Sequence, residues 1–302
     1  MDAEDLLRSW RAAGGGIEDP PAGKGLFGLY PTDDAAALTG SSLAVLGLPL
    51  NDDPGRPVAV RRASLTYAGG LGALGGVLRA ADYGDVDVVN DDPAVAFMQA
   101  HERLADIVAA GAAPLVLGGD ALVSVPVLQV LSGKLRGRLG VVAFTPRYEV
   151  APVPLYAALS RWARSLELDV VTPGNLVLIG GLADPPDGPA RRLLEDIGAT
   201  AFSLDAVERD GMTAVAQEAL ELAAAGTEAV YLSVDVGVLA GIGDPVGLTA
   251  RELTAGVRVV ASALLAAVDI CGSGPGMGGG EGPAAASRVA AEITAGVAAR
   301  LT

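Results

Sequence analysis

Histidine is almost missing from this chain: His101 is the only one in 302 residues. Imidazole is the commonest metal ligand and the ordinary acid/base group near neutral pH, so its scarcity leaves little to build a metal centre or a Ser-His or Cys-His pair from. Cysteine is equally scarce, and Cys271 alone excludes an intramolecular disulfide framework and fits a reducing cytosol. Positive charge is short as well. With 21 Lys and Arg against 36 Asp and Glu the net charge is -15, which argues against nucleic acid or an anionic membrane as partner, since both need a positive field. The opening MDAEDLLRSW is acidic where a secretory leader is basic, and no apolar stretch of spanning length escapes interruption by a charge, Gly or Pro. The expectation is a soluble, unexported, cytoplasmic protein.

What is present is a large apolar fraction, 51%, with 41 Gly and 19 Pro, enough to bury a substantial core. Residues 1–41 hold a glycine run, a Pro20-Pro21 pair and polar 31–34 without sustained period, and read as an irregular arm that drapes over the body. From Ser42 onward short Val-, Leu- and Ile-rich runs alternate with longer segments of helical spacing. Strands are expected at 43–48, 86–90, 114–117, 139–144, 175–179, 199–204, 229–236 and 264–271. Several are apolar at consecutive positions, as for strands covered on both faces.

Between them, Pro93 opens a helix on which Phe97, His101, Leu104 and Val108 share a face, so His101 is expected to edge the core. Thr249 and Glu252 form a capping box ahead of Leu253, Val257, Val260 and Leu264 at helical spacing, and a last helix starts near Pro283. No linker-like break interrupts 42–302. One three-layer α/β/α domain with a mainly parallel sheet of about eight strands is the economical reading. In such a sheet ligands gather beyond the carboxyl ends of the strands, which draws attention to the tails after the third, fourth, seventh and eighth runs.

Those tails, in their order, resemble the ureohydrolase family of arginases and agmatinases, and the likeness runs from about Ser42 to the C-terminus. LAVLGLPLN with GRPVAVRRAS, DYGDV at 82–86, LVLGGD at 115–120, LGVVAFTPRYE at 139–149, YLSVDVGVLAG at 231–241 and GLTARE at 247–252 each match a family segment. The resemblance implies an arginase-like fold, trimeric or hexameric self-association, and a two-manganese centre that activates water against a guanidinium carbon. Its ligand positions are altered here. Ala121 stands for the histidine of Gly-Gly-Asp-His, and Thr145, Arg147 and Glu149 stand for the aspartate, histidine and aspartate of the next motif. Asp235 keeps one aspartate while Gly237 replaces its partner, and Gly272 falls where a glutamate is expected.

Glu149 and Asp235 alone do not make a dinuclear site, so no metal cofactor is expected. A guanidinium cannot ligate a cation. Arg147 is instead expected to replace the lost positive charge by pairing with Asp235, Glu149 or Asp120, the other reading being that it reaches solvent. Asp120, Ala121, Thr145, Arg147, Glu149, Asp235 and Gly237 thus form a candidate remnant pocket for a small molecule.

Three functional classes stay open; a conventional metal hydrolase would need tightly bound manganese, and the altered ligand positions speak against it, which leaves two others. One is a pseudoenzyme with a binding or assembly role, with itself or with an active homologue. The other is a metal-free enzyme on an amidino, guanidino or related C-N substrate, with Glu149 and Asp235 as acid and base. GSGPGMGGGEG at 272–282 lacks the Gly-Lys-Ser/Thr end of a phosphate loop and reads as a rim loop. Cys271 reads as a buried structural thiol, Ser233 and Ser273 lack a visible base, and Tyr148 either lines the pocket or packs on its wall.

Overall fold

The computed structural model describes residues 25–49, 55–66, 78–87, 93–119, 121–135, 138–148, 161–181, 188–272 and 280–302. Its strands are β1 (Leu43–Leu48), β2 (Ala80–Asp85), β3 (Ala113–Gly118), β4 (Leu139–Thr145), β5 (Leu176–Gly180), β6 (Thr200–Ser203), β7 (Ala229–Asp235) and β8 (Leu265–Cys271). The helices among the described residues are α1 (Arg56–Ser64), α2 (Pro93–Ala109), α3 (Ser124–Ser132), α4 (Arg161–Glu167), α5 (Pro189–Ile197), α6 (Leu204–Asp210), α7 (Met212–Ala224), α8 (Ala250–Val260) and α9 (Glu281–Leu301).

All strand pairs are parallel, in the order β2-β1-β3-β8-β7-β4-β5-β6. Because successive strand residues point to opposite faces, each strand feeds two cores. Leu43 and Val45 join one with residues of α1, α6, α7, α8 and α9, while Ala44, Leu46 and Leu48 join the other with α2, α3, α4 and α5. Every residue of β4 and β5 is buried, and that is why these segments read as unbroken apolar runs. The order has one consequence for function: β3, β8, β7 and β4 are neighbours, so the four tails singled out from the sequence open side by side at the middle of the sheet.

Three expectations need correction. The second strand is Ala80–Asp85, not 86–90, of which 88–90 lie outside the described residues. It is the edge strand and only partly buried, so it carries no apolar run to betray it. His101 is exposed on α2, whose buried face is Ala96, Ala100, Leu104 and Ile107, one position away from the expected stripe. Leu264 lies beyond the end of α8 and is 53% exposed, although the helical spacing would have continued through it.

Elsewhere the local signals hold. The Thr249–Glu252 capping box opens α8, with Leu253, Val257 and Val260 buried. Residues 25–41 contain two short 3-10 turns, Leu26–Gly28 and Ala35–Leu38, and their Leu26 and Leu38 insert into opposite cores. What fastens the first turn is charge. Asp82 on β2 accepts from the Leu26 amide at 2.8 Å and from Arg61 Nε and Nη2, each at 2.9 Å. Arg61 also donates to Asp85 and to the Gly84 carbonyl. Burial alone would lower the affinity of Arg61 for its proton, but the bonds and charges of Asp82 and Asp85 outweigh it and leave the guanidinium more firmly protonated than usual.

Candidate functional site at the strand ends

Thr145 is the last residue of β4 and is fully buried; its Oγ1 donates to the Arg147 carbonyl at 2.7 Å, folding the tail back on the strand end. That turn throws the Arg147 side chain outward, where it is exposed and, among the described residues, in no ion pair. The next residue, Tyr148, is buried against Gly181, where a Cβ would come within 2.1 Å of the ring, so Tyr148 packs on the wall. Gly181 has φ +63, and the same substitution would strain the backbone too.

Asp235 ends β7 at 1% exposure, and its Oδ1 accepts from the Gly237 amide at 2.8 Å, capping the 3-10 turn Val236–Val238. Gly237 contributes backbone only and lies under Gly243, whose Cβ would meet the Gly237 carbonyl at 2.3 Å. Ala121 begins the turn that leads into α3. Asp120 and Glu149 lie outside the described residues. The structure thus brings Thr145 and Asp235 to adjacent strand ends, since Phe144 pairs with Val234 one position earlier, and leaves Arg147 at the surface.

The buried cation at these ends is a different arginine. Arg161, the first residue of α4, is 0% exposed, and α4 packs against α3. Arg161 Nη1 donates to Ser233 Oγ at 2.9 Å and Ser124 Oγ at 3.3 Å and reaches Cys271 Sγ at 3.9 Å, while Nη2 reaches Thr145 Oγ1 at 3.4 Å. The guanidinium carbon sits 4.5 Å from the centroid of the Trp162 ring, a distance suited to cation–π attraction.

A carboxylate answers this cation through hydroxyls. Asp269, fully buried in β8, accepts from Ser124 Oγ at 2.7 Å, from Ser233 Oγ at 3.0 Å and from the Tyr231 hydroxyl. Each serine hydroxyl therefore accepts a hydrogen bond from Arg161 and donates its own to Asp269, so the two charges polarise the same hydroxyls from opposite sides. Burial, then the charge of Asp269 and its bond, push the Tyr231 hydroxyl well above its ordinary pKa, against smaller opposing effects of Ser124 and Arg161. Tyr231 stays neutral and can only donate to the carboxylate.

Such a cluster is suited to holding strand ends together. Ser233 does have the carboxylate partner that the sequence did not reveal, but Ser124, Arg161, Ser233 and Asp269 are all 0% exposed, so the hydroxyl presents no face to solvent. With Asp120 and Glu149 outside the described residues, the candidates that are described offer a manganese ion few donors. Thr145 is engaged by Arg147 and Arg161, Asp235 Oδ1 is committed to a backbone amide, Ala121 and Gly237 offer no side-chain donor, and a guanidinium lies among the strand ends. Among the described residues no group of three or more His, Cys, Asp or Glu is placed to hold a metal ion.

Comparison with known proteins bears on the family and the fold. The chain is 28% identical over 259 residues to an arginase of Brevibacillus brevis, covering 74% of this chain and 86% of the relative. It is 29% identical over 221 residues to a formimidoylglutamase of Halobacterium salinarum, covering 68% of each. Among solved structures, the proclavaminate amidino hydrolase of Streptomyces clavuligerus superposes with a TM-score of 0.78 at 22% identity, covering 92% of this chain and 97% of that one. The formimidoylglutamase of Bacillus subtilis also reaches 0.78, at 18% identity and with 96% and 98% covered. The profile of the arginase family matches residues 42–300, nearly the whole body from β1 through α9, and the chain belongs to that family.

Proposed function

We propose that this arginase-family protein no longer hydrolyses guanidino or amidino substrates and serves as a pseudoenzyme in a binding or assembly role. The observation that supports the reading is the Arg161 guanidinium, buried and hydrogen-bonded among the ends of β4, β7 and β8. A divalent ion beside it would meet a fixed positive charge in a medium that screens poorly. The charge replacement expected of Arg147 is assigned to Arg161, and Arg147 becomes a surface group beside the strand-end tails. Residues 42–302 act as one domain in this reading, with self-association of the kind the family likeness implies and a cytoplasmic setting. No helix among the described residues is long and apolar enough to cross a membrane.

The test is elemental analysis of the purified protein after incubation with manganese, zinc and nickel and removal of free ions, paired with hydrolysis assays on arginine, agmatine and guanidine. No bound metal and no urea are expected. Stoichiometric metal together with urea release would overturn the proposal.

A further inference from the structure

A concave feature lies on the edge of the sheet opposite the strand-end cluster. The amino ends of β1, β3, β7 and β8, together with the C-terminal ends of α3 and α9, enclose a cleft of about 430 Å³. That volume is within the range of small-molecule sites. The lining is mostly apolar, and two of its side chains, Leu264 at 53% and Leu301 at 50% exposure, are large hydrophobic groups left facing solvent. Most of the protein's large apolar side chains are inside, so two on one cleft ask for a partner.

Charge says what kind. Lys134, one of only two lysines in the chain, and Arg300 also line the cleft. The Lys134 ammonium donates to the Val108 carbonyl at 3.1 Å, which uses one of its three protons, and among the described residues neither cation has a carboxylate partner. The acidic residue beside the lining residue Ala229 is Glu228, and it is taken by Arg138, which also donates to the Lys134 carbonyl. In a chain of net charge -15, an apolar cleft bordered by two cations that have no acidic partner among the described residues is a local reversal of sign.

We infer that this amino-edge cleft binds an amphipathic organic anion, with an aliphatic or aromatic body against Leu264, Leu301 and their apolar neighbours and a carboxylate between Lys134 and Arg300. The apolar lining supplies contact area, and the two cations select the sign of the head group. The site is independent of the strand-end cluster, which lies at the other edge of the same strands.

The experiment is titration calorimetry of the full chain with decanoate, decanol and decylamine, accompanied by light scattering to follow oligomeric state. Decanoate is expected to bind with one-to-one stoichiometry, about tenfold or more tightly than decanol or decylamine. The double variant K134E/R300E should weaken decanoate by about tenfold or more, and R209E, exposed elsewhere on α6, should leave it unchanged. Circular dichroism and melting temperature would show that the variants fold. Equal binding of decanoate and decanol, unchanged affinity in K134E/R300E, or no binding of any probe would overturn the assignment. A cleft occupied by a second copy would also overturn it, and L264E would reveal that by dissociating an assembly present in the parent protein.

Discussion

Replacing Arg161 is the most direct challenge to the account of the strand-end cluster. Arg161→Ala removes a fully buried cation that donates to Ser233 and Ser124 and reaches Thr145 and Cys271. The Asp269 carboxylate remains buried with its hydroxyl donors but without the charge that polarises them. Removing one partner of a buried charge pair costs about 3–5 kcal/mol, because the other is left uncompensated. At roughly 2 °C per kcal/mol for a large domain, the melting temperature should fall by roughly 6–10 °C.

Arg161→Met fills most of the volume and should still lose most of that stability, which separates charge from cavity. In the double variant R161M/D269N both charges are gone and the serine and tyrosine hydroxyls keep a neutral partner. It should recover about 1–3 kcal/mol relative to the sum of the single variants. Urea unfolding of the parent protein, R161M, D269N and R161M/D269N closes the cycle. Additive effects, or a loss under about 1 kcal/mol for Arg161→Ala, would refute the claim that a buried cation and Asp269 act as a unit.

Two further predictions follow from other contacts. Tyr231 keeps its proton in the folded protein above pH 10, where the unfolded chain releases it, so its contribution is intact below about pH 10 and is lost as pH rises toward the higher folded value. Denaturant midpoints measured from pH 8 to 11 should therefore converge for the parent protein and Tyr231→Phe at the alkaline end, from a gap of about 1.5–3 kcal/mol near neutrality; parallel curves would contradict the assignment. Arg61→Ala should release residues 25–30 and the edge strand β2, since Asp82 holds both, and amide hydrogen exchange should quicken at Leu26 and Gly84 before it does in β4. Unchanged exchange there would mean that apolar packing of Leu26 fastens the arm.

The fold was legible wherever strands are central. β4, β5 and β7 are buried on both faces and announce themselves as apolar runs, whereas β2, at the edge, is stabilised by Arg61 bonds that no periodicity encodes. That the strand-end cluster gathers at neighbouring tails, with Thr145 beside Asp235, was legible too, because strand tails and sheet order fix it. The identity of its cation was not. An arginine opening a short helix is normally a solvated residue, and Arg161 is buried only because α4 docks on α3 over the ends of β4, β7 and β8. A usable signal did exist at the other end of the pair: Asp269 interrupts the apolar stretch of β8, and a carboxylate in a doubly covered strand needs donors and a positive charge nearby.

The Asp269–Arg161 arrangement also changes what the environment can do to this protein. A cation bound from solution stabilises a fold by mass action, so its contribution rises and falls with free concentration and is lost to any competing chelator. Arg161 is joined to its site by the polypeptide itself. The positive charge among these strand ends is therefore available at unit stoichiometry from the moment the chain folds, and it is indifferent to metal supply, to chelation and to the order in which ions and protein meet.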